Sequence, residues 1–432
     1  MLAEDRTSRY KDCLRSVRFY EKGALIIFVP LLHTMKHYTP EEKEFIRQHQ
    51  LRNPAELMLQ AGRYPQLPVS ELVKQIQARQ KAADKLPSWA AHPDVVFPTA
   101  VSVEQTSSEV TAAYKASLVK GKLLVDLTGG FGVDSFFFAK QFEQVVHVEQ
   151  NSELSEIAAY NFKLLGAANI EAVNTTAEDF LQNFAGHADV LYLDPARRGD
   201  RHEKVHLLQD CEPDVLRLIP LLFEKANTVL LKTSPMLDIE LALEQLGSVA
   251  QVWVIALYNE CKEVLYLLQP HTANNPDRHA VNLLPDGSLQ ALDFNKEQEE
   301  QAHVLFADPM AFLYEPNAAI LKSGAYRSVA SQFGLYKLHP NSHLYTSAQF
   351  IPAFPGRAFA CEGIGRYNKK EMLARLPQRK ANITVRNFPE SVADIRKKTG
   401  IKEGGEDYLF FTTDMHQKPM VVYCRKIAAL LR

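Results

Sequence analysis

The 432-residue sequence predicts an α/β protein: a seven-stranded sheet closing in an antiparallel hairpin, with a helical region before it and a small α+β domain after it. Three observations predict this. From residue 123 strand-like runs alternate with amphipathic helical stretches, the pattern of crossover connections in a parallel sheet. The last two strand-like runs are separated only by residues 259–262, a hairpin length that forces antiparallel pairing. Residues 351–432 then carry strand and helix patterns in the order β-α-β-α-β-β.

Residues 1–100 show helix-spaced apolar residues and no strand alternation. Helices are expected over 41–50, 53–61 and 69–83, with Pro40, Pro54 and Pro68 at their starts. Thr106 and Glu109 have the spacing of a capping box, so another helix is expected there. The strands of the main sheet fall at 123–127, 144–149, 170–175, 190–194, 228–233, 249–258 and 263–269. Helices between the first six occupy 133–142, 152–165, 178–184, 205–224 and 237–246. Residues 271–350, rich in Asn, Pro and His, offer only two short strands, at 281–284 and 289–294. The C-terminal pattern places strands at 358–364 and 381–386, helices at 369–376 and 390–399, and a hairpin from 408–412 to 420–425.

A net charge of −2 conceals an asymmetry: residues 351–432 hold 16 Lys/Arg against 8 Asp/Glu, and the other 350 residues 33 against 43. A basic tail on an acidic body suits a polyanionic partner, although a well-solvated surface accounts for it equally. The five cysteines are scattered without a CxxC pair, which speaks against a disulfide framework or a zinc site and fits a reducing compartment. No signal-peptide pattern opens the chain, and the longest apolar run, 23–32, is too short to span a bilayer. These features predict a cytoplasmic protein without membrane or metal partners.

The sharpest motif is Asp126-Leu-Thr128-Gly129-Gly130-Phe-Gly132-Val-Asp134, where an apolar strand ends in an acid and a glycine-rich turn opens a helix. Glycines allow positive φ and close backbone approach to a ligand, and a helix start offers unpaired N–H groups. Glu149 closes the second strand, 17 residues past Gly132, where a carboxylate can accept both hydroxyls of a ribose. After the third strand, Thr176-Ala177-Glu178 is placed to run under an adenine ring, or to cap the next helix. The fourth strand ends in Asp194-Pro195-Ala196-Arg197-Arg198-Gly199, whose carboxylate and carbonyls can hold an amine N–H and aim its lone pair.

On these residues, positions 101–270 resemble the Rossmann-like class I S-adenosylmethionine-dependent methyltransferases: "DLTGGFG" is similar to their first motif, "HVEQN" to the second and "LDPARRG" to the fourth. "EQTSSEVTA" and "TGGFGVDSFFFA" are similar to RNA guanine-N2 methyltransferases, and "ITVRNFPESVADIRKKTGIKEGGEDYLFFT" resembles a THUMP-like, RNA-binding domain of an uncharacterised bacterial family. The resemblance implies four domains: helical 1–100, methyltransferase 101–270, a small ferredoxin-like or linker segment 271–350, and THUMP-like 351–432. It implies that Asp126, Gly129, Gly130 and Gly132 line the methionine end of S-adenosyl-L-methionine, with Glu149 at the ribose and Thr128 and Gln150 also among the cofactor-binding residues. Thr176, Ala177 and Glu178 would lie near adenine, and Asp194 would border both cofactor and acceptor. Asp194, Pro195 and Arg197 are the implied catalytic set. Two departures matter. Ala196 and Arg197 replace the proline and aromatic of the amine-methylating motif, although an arginine can stack on a base or bind phosphate. Thr176 stands where many relatives carry an acid.

The expected activity is methylation of RNA, tRNA or rRNA, on an exocyclic base amine. A protein or small-molecule acceptor, or an inactive RNA-binding relative, stays open. The loop 232–235, Lys-Thr-Ser-Pro, lacks the nucleophilic cysteine of carbon-5 chemistry. An NAD-dependent dehydrogenase is disfavoured, because the third glycine of G-x-G-x-x-G is missing and the final hairpin is atypical of that fold.

Overall fold

The computed structural model describes residues 38–197, 208–272 and 275–427, with Arg197 described by its backbone alone. The parts of the expected N-terminal domain over 1–37, and of the 205–224 helix over 205–207, lie outside the described residues, as do Arg198 and Gly199. The chain divides into two units, Met1–Val249 with Tyr266–Thr272, and Ala250–Leu265 with Ala273–Arg432.

The first unit begins with α1 (Pro40–His49), α2 (Pro54–Leu59), α3 (Val69–Ala82), α4 (Pro87–Ala91), α5 (Ala100–Gln105) and α6 (Glu109–Ser117). Local chemistry sets the starts: Thr39 and Glu42 form a reciprocal capping box on α1, and Asn53 caps α2 ahead of Pro54. Phe45, Ile46, Leu57, Val69, Leu72, Val73 and Ile76 form one buried cluster among α1, α2 and α3. The capping box expected at Thr106/Glu109 sits two residues later, at Ser108 and Thr111 on α6. Glu109 is engaged elsewhere, accepting from the Ser88 amide at 2.8 Å and the Ser88 hydroxyl at 2.7 Å.

The sheet of this unit contains β1 (Gly121–Asp126), β2 (Phe142–Glu149), β3 (Ile170–Asn174) and β4 (Val190–Leu193), followed by a short ribbon of β5 (Ala196–Arg197) on β6 (Cys211–Glu212), then β7 (Val229–Thr233). Parallel pairing joins β3 to β2, β2 to β1, β1 to β4 and β4 to β7. The intervening helices are α7 (Val133–Phe138), α8 (Ser152–Leu164), α9 (Ala177–Asn183), α10 (Val215–Lys225) and α11 (Ile239–Leu246). Leu124, Val125, Val145, Val148, Leu191, Leu193, Leu230 and Leu231 are all buried, the continuous apolar texture of strands covered on both faces. The chain runs from β1 outward to β3 and then returns to β4 on the other side of β1. That reversal opens a crevice at the strands' carboxyl ends, where Asp126 and Asp194 lie. One expected helix differs: among the described residues of 205–224, α10 starts at Val215, because Pro213 precedes the cap Asp214, whose carboxylate accepts from the Arg217 amide at 3.4 Å.

The hairpin strands are β8 (Val249–Leu257) and β9 (Glu260–Leu268). Their turn is tighter than the expected four residues: Tyr258 (φ 55°) and Asn259 (φ 69°) are both left-handed, as a two-residue hairpin turn requires. The hydrogen-bonded order is β11-β10-β8-β9-β7-β4-β1-β2-β3, so the sheet has nine strands rather than seven. The two extra strands are β10 (Asp277–Leu283), parallel to β8, and β11 (Leu289–Phe294), antiparallel to β10. They cover the open edge that β8 would otherwise present.

The second unit continues through α12 (Lys296–Gln301), β12 (Phe312–Pro316), α13 (Ala318–Ser323), α14 (Ser328–Gln332), β13 (Tyr336–Lys337) and β14 (Tyr345–Ser347). Then follow β15 (Gly356–Gly365), α15 (Lys369–Arg375), β16 (Asn382–Val385), α16 (Val392–Thr399), β17 (Asp407–Thr413) and β18 (Pro419–Lys426), the β-α-β-α-β-β order read from sequence. All seven strands from β12 to β18 share one sheet, ordered β13-β14-β12-β15-β18-β17-β16. Its two faces bury separate clusters, one around Phe411 and Ile395, the other around Phe359 and Phe410. Among the described residues, no helix is long and apolar enough to cross a membrane.

Candidate active site

The glycine turn after β1 is shaped by what each glycine must avoid. At Gly129, whose amide donates to Val148 O at 2.8 Å, an added Cβ would lie 2.1 Å from the His147 ring. Gly132, at φ 89°, caps α7, and a Cβ there would lie 2.5 Å from Phe162. Gly130 differs: it also has positive φ, 54°, but a Cβ there would meet nothing within 4 Å. The space over the middle of the turn is open. Asp126 lies beneath it, 1% exposed, with one carboxylate oxygen accepting from the Thr128 amide at 3.1 Å and the other from the Ser135 hydroxyl at 2.5 Å.

Glu149 points into this arrangement. One of its oxygens accepts from the Gly130 amide at 2.7 Å and the other from the Asn151 amide at 2.7 Å. Each oxygen keeps a further lone pair, so the half-buried carboxylate can still receive two hydroxyls. An open turn edged by a tethered carboxylate fits an adenosyl ligand. Gln150 is exposed, and its carbonyl accepts from Asn174 at 3.1 Å. Thr176 proves to be the cap of α9, accepting from the Asp179 amide at 3.1 Å. Ala177 is buried and Glu178 half-buried behind it.

Across the crevice, the Asp194 amide donates to the Thr128 hydroxyl at 2.6 Å, which ties the end of β4 to the glycine turn. Pro195 is half-buried, and Ala196 and Arg197 enter the ribbon opposite Glu212 and Cys211. The Asp194 carboxylate accepts from the Lys232 ammonium, which comes from the end of β7. Lys232 also donates to Ser107 Oγ at 3.2 Å and stands 3.9 Å from Asp134. Beneath it, the buried Lys115 ammonium donates to Ser107 at 3.0 Å, to both Asp134 oxygens at 3.0 Å and to Tyr192 Oη at 3.2 Å. Tyr192 in turn donates to Asp134 at 2.7 Å. Burial opposes ionisation of Asp134, but the ammonium groups of Lys115 and Lys232 and the Tyr192 hydroxyl outweigh it and hold its carboxyl below the usual range.

Asp126, Thr128, the glycines, Glu149 and Asp194, expected from their motifs, lie together where β1, β2 and β4 end. Ser107, Lys115, Tyr192 and Lys232 join them there without a motif of their own. Their one signal is polarity out of place: a lysine one position before the end of an apolar strand at 232, and another within an Ala-rich helix at 115.

Two buried groups set a pH signature. Burial pushes Asp126 up to about 7 against the pull of the Ser135 hydroxyl and the Thr128 amide, and burial pushes His147 down to about 3. His147 Nδ1 lies 2.9 Å from Ser135 Oγ, so the two groups share one serine. The folded state therefore favours a protonated Asp126, a contribution lost as pH rises from about 4 to about 7. It also favours a neutral His147, a contribution lost as pH falls from 6.5 toward 3. Between pH 4 and 6.5 the two slopes oppose each other. Asp126→Asn leaves only the histidine slope, so relative to wild type the variant loses about 1.4 kcal/mol per pH unit on acidification through that window. Urea unfolding of both proteins at pH 4.5 and 6.5 checks this; a difference that does not change with pH contradicts it.

Comparison with known proteins adds the family. A ferredoxin-like domain family matches residues 312–355, and a THUMP domain-like family matches 356–426. A solved structure from Porphyromonas gingivalis W83, described as that of a candidate methyltransferase, is 31% identical, covers 90% of this chain and 100% of its own, and superposes with a TM-score of 0.80. The chain belongs to this S-adenosylmethionine-dependent methyltransferase family. An uncharacterised S-adenosylmethionine-dependent methyltransferase of Mycobacterium tuberculosis H37Rv is 24% identical over 289 residues, 66% of this chain and 76% of that protein. An uncharacterised RNA methyltransferase of Thermotoga maritima is 28% identical over 110 residues, 25% of each chain. The glycine turn, Glu149 and Asp194 of this methyltransferase all lie within the first unit, at the point where strand order reverses.

Proposed function

We propose that this methyltransferase transfers the methyl group of S-adenosyl-L-methionine to an exocyclic base amine of RNA. The observation that carries the reading is the Asp194 carboxylate, tied through its own amide to Thr128 of the glycine turn and one third exposed at the crevice. The cofactor supplies an electrophilic methyl on a sulfonium. Thr128, Gly129, Gly130 and Gly132 hold its methionine end over the Asp126 support, Glu149 and Gln150 take the ribose, and Thr176, Ala177 and Glu178 border the adenine. Asp194 and the Pro195 carbonyl accept the N–H groups of the target amine and aim its lone pair, so orientation supplies the catalysis. Arg197 contributes a cation for stacking or phosphate contact.

RNA as acceptor is supported by the relative from Thermotoga maritima named an RNA methyltransferase, by the THUMP-like match, and by basic side chains in that segment. A backbone bridge pairs Lys380 with Lys402, and the Lys402 amide donates to Arg379 O at 2.9 Å, so three exposed basic residues adjoin through their backbones just before the edge strand β16. Such a cluster neutralises phosphates and releases counterions, which makes binding salt-sensitive.

The test is tritiated-methyl transfer to RNA and protein pools from cells lacking this protein, followed by nucleoside analysis. Label is expected in RNA, in an amine-methylated nucleoside. The double charge reversal Lys380→Glu with Lys402→Glu is expected to weaken RNA binding about tenfold or more at low salt, with the loss shrinking as salt rises. Label confined to protein would refute the RNA assignment.

A further inference from the structure

We propose that Lys232 is a positioning residue for methyl transfer: it fixes the Asp194 carboxylate by one oxygen and leaves the other for the acceptor amine. The inference rests on the function proposed above, but its geometry is independent of the acceptor. Asp194 is held at its backbone by Thr128, yet its side chain is one third exposed. Among the described residues, the Lys232 ammonium restrains that side chain, donating to Oδ2. Lys232 is itself 8% exposed and anchored to Ser107 at 3.2 Å, and Ser107 is held by Lys115 at 3.0 Å and donates to Asp134 at 3.0 Å. A chain of polar contacts thus runs from α6 through Ser107 and α7 to the ends of β4 and β7, and terminates on the carboxylate that faces the crevice. Among the described residues, Lys232 pairs with Asp194, Asp126 interacts with it electrostatically, and Asp134 lies 3.9 Å from Lys232 with Lys115 paired to it.

A lysine in this place does more than fill a core. The apolar part of β7 needs no cation, and an ammonium taken out of water is costly unless it is paired and hydrogen-bonded. Here pairing consumes one face of a carboxylate that would otherwise rotate at the crevice edge. Holding an acceptor group in its reactive orientation lowers the barrier to transfer without changing cofactor affinity.

The experiment uses the full chain and two readouts. In the lysine-ammonium 1H–15N spectrum of the free protein, the signal lost in Lys232→Arg identifies Lys232, and Asp194→Asn is expected to shift or abolish that signal. In tritiated-methyl transfer to RNA from cells lacking the protein, Lys232→Met is expected to lower kcat about thirtyfold or more. The cofactor KM should stay within about threefold of wild type, and Lys232→Arg should recover part of the loss. An ammonium signal unmoved by Asp194→Asn, a kcat within about threefold of wild type in Lys232→Met, or an equal collapse of S-adenosylhomocysteine affinity would overturn the proposal. Where Lys232→Met does not fold, the Asp194→Asn spectrum and the Lys232→Arg kinetics still decide it. If wild-type protein labels no RNA, the acceptor assignment fails, while the ammonium spectrum continues to decide the pairing.

Discussion

Asp194→Ala is expected to lower methyl transfer about a thousandfold or more, with S-adenosylhomocysteine binding staying within about threefold of wild type. The separation follows from where the carboxylate sits. Its backbone amide, which the substitution retains, carries the 2.6 Å link to Thr128 that ties β4 to the glycine turn. Its side chain takes no part in the Glu149 contacts to Gly130 and Asn151. What the substitution would remove is the proposed acceptor of the incoming amine, together with one partner of Lys232. The released ammonium keeps Ser107 and the more distant Asp134, so the buried network is weakened but not emptied. Single-turnover kinetics and calorimetry on the same preparation separate the two quantities. A parallel loss of binding and turnover would place Asp194 in cofactor retention instead.

Glu149→Ala is expected to have the opposite profile, weakening S-adenosylhomocysteine binding about a hundredfold, or about 3 kcal/mol. Two effects combine. On the proposed site, the ribose would lose a charged acceptor, and hydrogen bonds to a charged group contribute more than neutral ones. The Gly130 and Asn151 amides also lose the carboxylate that holds the turn in its open form. Glu149→Gln recovers only part of the loss, because an amide offers one oxygen where the carboxylate serves two N–H donors. Isothermal titration of the three proteins checks the order wild type, Gln, Ala. Equal affinity across them would remove Glu149 from the cofactor site.

The parts of this protein legible in sequence are those written in local pattern. An apolar strand that ends in Asp126 and breaks into glycines, and a second strand that ends in Glu149, declare both their conformation and their neighbourhood. Parallel strands buried on both faces and separated by helices announce the sheet in the same way. The attachment of β10 and β11 was not legible, because which open edge a strand joins depends on tertiary contact rather than on its own residues. The capping box moved from Thr106 to Ser108 for a related reason: Glu109 is drawn to Ser88, 21 residues earlier in the chain. The polar network escaped notice because Ser107, Lys115, Asp134, Tyr192 and Lys232 come from five separate elements or loops, and each alone is an ordinary residue. Polar residues inside apolar runs, such as Lys232, were the available clue, and only the fold shows what they meet.

The most direct measurement is a crystal structure of the protein with S-adenosylhomocysteine. The ribose hydroxyls are expected on Glu149, the amino-acid end over Gly130, and the sulfur facing Asp194 across the crevice. A ligand bound elsewhere, or a Glu149 carboxylate turned away from the ribose, would contradict the assignment of this crevice as the methyl-transfer site.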